Sequence, residues 1–252
     1  MTLTPAGQKF IRYAQRIQDD LNSMNITLGR YCSLEQGSIN IGLLWTFGYA
    51  GIDHLLDEFS DAYTHIDMHV KINGSTLLLD EVRKGALDVA FVTENLQHFF
   101  NSDLDATQIS SSEIGVVCHQ DISLSHMPYI SAEDLNNQHI MMVSRLSNIY
   151  PPIQTSFTKA GIKPLIIGES SQADITGQIA KSKLGIGFLS RQAFTSMNHQ
   201  NLVWAPYRPT INRNIYLVCH HDACENTSVK AFTKFVIDNL NLLADNKDNN
   251  TA

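Results

Sequence analysis

The chain has 252 residues, 43% of them hydrophobic and 17% charged, enough for one large domain or two modest lobes that each bury a core. No apolar run reaches the length of a membrane span and the N-terminus lacks the apolar region of a secretory leader, so no membrane partner and a cytoplasmic location are expected. A formal net charge of −7 excludes the basic footprint that phosphate backbones attract, so this region alone is expected to bind DNA poorly.

Thr4-Pro5 reads as a helix N-cap followed by proline at the first helical position, where the missing N–H costs nothing. Within this helix, assigned to residues 1–30, Phe10, Ala14, Ile17, Leu21, Met24 and Leu28 follow the alternating three- and four-residue spacing of a coiled-coil seam. The stripe serves either dimerisation or packing against the helix's own domain. Period-two alternation predicts strands at 38–43 and 66–72, and a short apolar run predicts another at 87–92. Helices carrying Ile52, Leu55, Leu56 and Phe59, then Leu78, Leu79 and Val82, lie between them, the second stopped by Gly85. This βαβαβ order implies a parallel sheet with right-handed crossovers.

A second such region follows, with strands at 114–119, 139–143 and 164–168, a helix through Ile153, Phe157 and Ala160, and another helix at 172–183. The latter leads into Leu184-Gly-Ile-Gly-Phe-Leu189. Gly185 and Gly187 come after a helix and within a strand-like run, whereas a dinucleotide fingerprint follows a strand and opens a helix, so no nucleotide site is assigned. A strand at 215–219 and a helix carrying Val229, Phe232, Phe235, Val236, Leu240 and Leu243 close the pattern.

Four scattered cysteines do not form a disulfide framework, and reduced thiols are expected. Cys118-His119 and the run from Cys219 to Cys224 would approach each other if two strands crossed side by side, giving a redox or zinc sensor. The spacing fits no established zinc signature, however, and a cysteine ending an apolar strand ordinarily just packs. No metal and no cofactor are therefore assigned. The sequence contains no GxSxG, HExxH or P-loop, so it is not expected to be an enzyme.

Four stretches, in order, resemble the LysR-type transcription regulators. Leu3-Thr4-x-Ala6-Gly7-x-x-Phe10 is similar to the segment that opens the family's linker helix, and Gln36-Gly37-Ser38-Ile39-x-Ile41-Gly42 to the strand that starts its sensor region. Lys84-Gly85-x-Leu87-Asp88-x-Ala90 and Leu184-Gly185-Ile186-Gly187-Phe188-Leu189 resemble two later family segments. Lys183 stands where the family usually has glycine, Ser190 where it has proline, and Trp45 where the first strand ends in something small.

The resemblance implies an α/β fold of two Rossmann-like lobes joined by two crossover strands, the type 2 periplasmic-binding-protein architecture, behind a long linker helix. Lobe I would comprise residues 37–114 and 220–244, and lobe II residues 115–219. The hinge would pass near Ile114–Cys118 and Tyr216–Cys219. It also implies a cleft for a small anionic or polar effector, a homodimer or a tetramer built from such dimers, and contact with DNA only through a domain upstream of Met1. The alternative is a solute-binding protein of a transport system, which shares the fold but needs export.

Ligands of such folds lie beyond the carboxyl ends of parallel strands, where helix N-termini point inward. The residues at those places are Trp45, Thr46 and Phe47; Ser75 and Thr76; Thr93; Ser144 and Arg145; and Ser170 and Ser171. Serine and threonine there serve as N-caps or as effector ligands. Arg145 either forks a carboxylate or makes a surface ion pair. Trp45 and Phe47 either wall the cleft or fill it.

Overall fold

In a computed structural model of the chain, the described residues are 37–94, 99 and 103–243, together with Thr4, Gly7, Lys9, Phe10, Tyr13, Ala14 and Ile17 of the N-terminal segment. Thr4 caps a helix as its sequence predicts, its Oγ1 accepting from the Gly7 N–H at 3.1 Å. Phe10 and Ile17 of the seam are 71% and 60% exposed. Leu21, Met24 and Leu28 lie outside the described residues. No helix among the described residues is long and apolar enough to cross a membrane.

The first lobe is built from β1 (Gly37–Leu44), α1 (Ile52–Ala62), β2 (Ile66–Asn73), α2 (Ser75–Arg83) and β3 (Val89–Thr93). β1 lies between β2 and β3, parallel to both. Helix α1 forms because Ile52, Leu55, Leu56 and Phe59 fall on one face at helical spacing; all four are buried. Phe59 meets Phe232 edge-on at 4.9 Å between ring centres. Asp88 is fully buried ahead of β3, and its Oδ2 accepts from the Asn40 backbone N–H at 2.8 Å and from Asn40 Nδ2 at 2.9 Å. The aspartate of the Leu87-Asp88 pair thus ties the start of β3 to β1, a structural role rather than a catalytic one.

The second lobe contains β5 (Ile130–Ser131), β6 (His139–Val143), α3 (Tyr150–Ala160), β7 (Leu165–Ser170), α4 (Ala173–Lys181), β8 (Ile186–Ser190), α5 (Arg191–Ser196) and β9 (Leu202–Arg208). The long strand β4 (Leu104–His119) runs through both lobes, and β10 (Asn212–His220) returns the chain alongside it, followed by α6 (Thr227–Asp238). The whole path runs β2-β1-β3-β10-β4-β8-β6-β7. Each lobe's sheet is buried on both faces, by clusters around Phe59 and Tyr216 in the first lobe and around Tyr207 and Trp204 in the second.

Strand pairing moves the expected boundaries. β4 is antiparallel to β10 as far as Glu113 and then to β8 from Ile114, so one crossing falls between those two residues. All of β10 pairs with the first part of β4, and its residues 215–219 pair with β3 on the other side. Residues 212–219, expected in the second lobe, pair with strands of the first, and the chain passes from β9 to β10 through 209–211. The apolar stretch 215–219 is the buried middle of a strand, whereas a crossover needs chain that can leave one sheet for the other.

Cysteine geometry also departs from expectation. Cys219 is bonded to Cys224 instead of remaining reduced, and among the described residues Cys118 is the free cysteine, and it is buried. Cys219 lies opposite Asp105 and Cys118 opposite Val203, so the two are separated along β4 by about 40 Å of extended strand and cannot pair.

The two departures near the second lobe's end have local causes. Lys183 takes a left-handed conformation at φ 56°, the place glycine fills at least cost, and its Nζ reaches Asp121 at 2.6 Å. Ser190 caps α5, its Oγ accepting from the Ala193 N–H at 3.2 Å, a service proline could not provide.

Candidate functional site

The carboxyl ends of β1, β2 and β3 face those of β6, β7 and β8 across a cavity of about 430 Å3, a size suited to a small organic molecule. Strand order creates this cleft: the chain leaves β1 and β2 in one lobe, and β6, β7 and β8 in the other, on the same side and turns into a helix. Trp45 and Thr46 enter from the end of β1, Ser75 and Thr76 from the first turn of α2, and Thr93 from the end of β3. Ser170 and Ser171 face them from the end of β7, ahead of α4. Seven of the ten expected site residues thus meet around one cavity.

Phe47, Ser144 and Arg145 do not line it. Phe47 packs against the first lobe's core. Ser144 Oγ accepts from the Leu146 N–H at 3.3 Å, forming a local turn. Arg145 is exposed and pairs with Glu169 at 2.8 Å, which is the surface ion pair and not the carboxylate fork. Glu169, two residues before Ser171 on the neighbouring strand, draws the guanidinium away and holds its pKa up.

The hydroxyls divide into those already engaged and those open to a ligand. Ser75 is not the cap of α2, because Gly74 takes that position. Its Oγ instead accepts from the Thr93 N–H at 3.1 Å and lies 3.3 Å from Thr93 Oγ1, which fixes two hydroxyls side by side. Ser170 Oγ accepts from the Gln172 N–H at 3.0 Å and shapes the entry to α4. The amides of residues 75–77 precede the first intrahelical bond of α2, made by the Leu78 N–H to Gly74, so they carry the positive end of its dipole to the cleft.

A charge not expected from the sequence completes the site. Arg213, at the start of β10 beside the return crossing, projects to the cleft and donates to Thr46 Oγ1. Among the described residues no carboxylate lies within ion-pair distance of it. Desolvation by burial lowers its pKa to about 10, so it remains a cation at neutral pH in a place that penalises charge. The only sequence signal was an arginine two residues before an apolar strand, in Asn212-Arg213-Asn214, which reads equally as polar loop. Apolar walls from Leu44, Ile114, Val143, Ile149, Phe188 and Leu189 line the same cavity as this cation. The arrangement suits a small molecule with an anionic end and an apolar body.

The lobes also touch directly. Tyr49, following β1, donates from its hydroxyl to Asp174 Oδ2 of α4 at 2.5 Å. Burial first, and the bond to Asp174 second, push the Tyr49 hydroxyl up to about 12, so it stays a donor throughout the physiological range. Tyr49→Phe is expected to loosen this clasp by about 1 kcal/mol, roughly fivefold in local opening. Hydrogen exchange at 45–50 and 172–176 should quicken accordingly, and unchanged rates in both segments would show that the bond does not hold the cleft closed.

With this geometry established, comparison with known proteins gives a consistent answer. Residues 33–241 match the family described as the LysR substrate binding domain. The HTH-type transcriptional regulator YfeR of Shigella flexneri is 23% identical over 243 residues, covering 96% of this chain and 78% of YfeR. The effector-binding domain of QuiR in complex with shikimate superposes with a TM-score of 0.69 at 18% identity, covering 82% of this chain and 98% of that one. The regulatory domain of CcmR from Synechocystis PCC6803, in complex with 2-PG, gives 0.70 at 19% identity, covering 85% and 99%. These solved structures carry the two-lobed fold, and the likeness to regulators gives no support to the transport alternative.

Proposed function

The chain belongs to the LysR substrate-binding-domain family of transcription regulators, and we propose that its interlobe cleft binds a small carboxylate whose anionic end is held by Arg213. The carrying observation is that this half-buried cation faces a ligand-sized cavity with a hydroxyl, and among the described residues no carboxylate, as its partner. A carboxylate entering from the mouth would meet the guanidinium, the Thr46 and Ser75 hydroxyls and the amide end of α2, while its body packs on Phe188 and the other apolar walls. Binding would favour the arrangement in which both lobes contribute contacts, and so shift the population of lobe positions. The relatives QuiR and CcmR, solved with shikimate and 2-PG, support a small-molecule occupant of this class.

Oligomerisation belongs to the same reading. The exposed Phe10 and Ile17 continue the a/d pattern of the N-terminal helix, which favours a second copy as their cover. Effector binding would then alter how copies pack and how DNA-reading domains are spaced, within the cytoplasm where the promoter lies. The relatives are regulators rather than enzymes, and the cleft is read as a sensor and not as a catalytic centre.

A thermal-shift screen of short aliphatic, hydroxylated and aromatic carboxylates, each beside its neutral amide, tests the reading. At least one carboxylate is expected to raise the midpoint while its amide does not. Thr46→Ala should weaken that ligand about tenfold, because Arg213 loses the hydroxyl that orients it. Equal shifts by a carboxylate and its amide, or a shift untouched by Thr46→Ala, would remove Arg213 and Thr46 from the anion site.

A further inference from the structure

Away from the cleft, the far end of β10 gathers a second group of reactive side chains. Cys219 is bonded to Cys224, which follows after a short loop, and Asp105 stands opposite Cys219 on β4. Cys224 Sγ lies 3.5 Å from Asp105 Oδ2, and His221 Nδ1 lies 2.8 Å from the same oxygen. One ligand atom from each of Asp105, Cys219 and Cys224 falls within 4.8 Å of the others. Cys219 is buried while Asp105 and His221 reach solvent, so the group has a fixed base and an open mouth. Six residues of extended strand, about 20 Å, separate it from Arg213, which makes it a place distinct from the effector cleft.

We propose that, once the Cys219–Cys224 bond is reduced, these two cysteines and Asp105 bind a single thiophilic divalent cation of the zinc type. The chemistry of the donors selects it: two thiolates and a carboxylate suit zinc, with bonds near ~2.3 Å to sulfur and ~2.0–2.2 Å to oxygen, all reachable by atoms this close together. The Cys219–Cys224 pair has the four-residue gap of some zinc-binding pairs; what no sequence signature contains is its further ligand, Asp105, which comes from the neighbouring strand. His221 positions the Asp105 carboxylate through its hydrogen bond, and water completes the coordination. The steps balance. A phosphine reductant and one water convert the disulfide into two thiols, with the oxygen passing to phosphorus. Binding the cation then releases the two thiol protons. Disulfide and metal exclude one another, because the same sulfur electrons serve in both.

The test uses the untagged chain, reduced with a phosphine, freed of reductant without oxygen, and titrated with Zn2+ against a chromophoric chelator and with Co2+ for its spectrum. One cation per chain is expected, together with sulfur-to-cobalt charge-transfer absorption. Cys224→Ser should weaken binding about 100-fold or more and His221→Ala about tenfold, whereas Cys118→Ala, in the other lobe's core, should bind like the wild type. The chain left oxidised should bind no better than Cys224→Ser. Reduced wild type binding no more tightly than Cys224→Ser would overturn the proposal, as would a charge-transfer band that depends on Cys118. Alkylation of the wild type keeps the test decisive should a variant misfold: Zn2+ must protect Cys219 and Cys224 together, and equal labelling with and without the ion refutes the site.

Discussion

Replacing Arg213 by methionine is expected to abolish carboxylate binding while making the empty protein more stable. The two signs follow from one cause. In the unliganded cleft the guanidinium has lost water and gained only the Thr46 hydroxyl in return, which is why its pKa falls to about 10. Methionine of similar length removes that penalty and packs on the apolar wall, so the unliganded thermal midpoint should rise. With a carboxylate present the same guanidinium supplies a charge-assisted pair inside a partly dry cavity, where truncating one partner costs about 2–5 kcal/mol, or roughly 30-fold to several thousand-fold in affinity. Calorimetric titration with whichever acid emerges from the thermal screen, run beside Arg145→Ala, checks both halves. Arg145→Ala should change little, because that side chain is exposed and held by Glu169 outside the cavity. Undiminished affinity in Arg213→Met would mean that the hydroxyls and the α2 amides alone hold the anion.

The contrast between these two arginines shows what the sequence could disclose. Strand-to-helix turns are written in local pattern, so Thr46, Ser75, Thr76, Thr93, Ser170 and Ser171 were legible as cleft residues once the parallel strands had been recognised. Arg145 stands at such a turn too, but a neighbouring strand's glutamate decides where it points, and no local pattern encodes that partner. Arg213 lies on an antiparallel return strand whose place in the sheet depends on pairing with β3 and β4, far away in sequence. The first half of β4 was missed for a related reason: Leu104 to Glu113 alternates too weakly, with Asp105, Thr107 and Ser110 to Ser112, to announce a strand. Its neighbours supply the order that its own side chains do not. The disulfide likewise follows from the turn after β10, which returns Cys224 to the strand end, and not from cysteine spacing alone.

Gly115→Ala is expected to cost about 3 kcal/mol, lowering the thermal midpoint by roughly 6–12 °C, although it adds a single methyl group. A Cβ at Gly115 would stand 2.3 Å from Trp204 Cε2 and 2.4 Å from the carbonyl oxygen of Ala205. The indole cannot simply swing aside, because its Nε1 donates to the Leu189 carbonyl at 3.0 Å and its ring packs against the Arg191 guanidinium. The carbonyl is part of β9, paired with β4 on both sides of the contact, so relief requires moving a strand. Gly74→Ala is the matched control, since a Cβ there meets nothing within 4 Å and the backbone is already extended. Chemical denaturation of the two variants should therefore separate widely, and a Gly115→Ala midpoint equal to that of Gly74→Ala would show that β9 can yield. The consequence reaches the cleft. Gly115 follows the first crossing by one residue, and its close contact clamps β4 to β9 on the second lobe's side. The chain passes from one lobe's pairing to the other's at the Glu113–Ile114 step and at 209–211, and the second of these leads directly to Arg213. If the proposed carboxylate binds Arg213, its pull falls next to the 209–211 passage, which would give ligand binding a short mechanical route to lobe position.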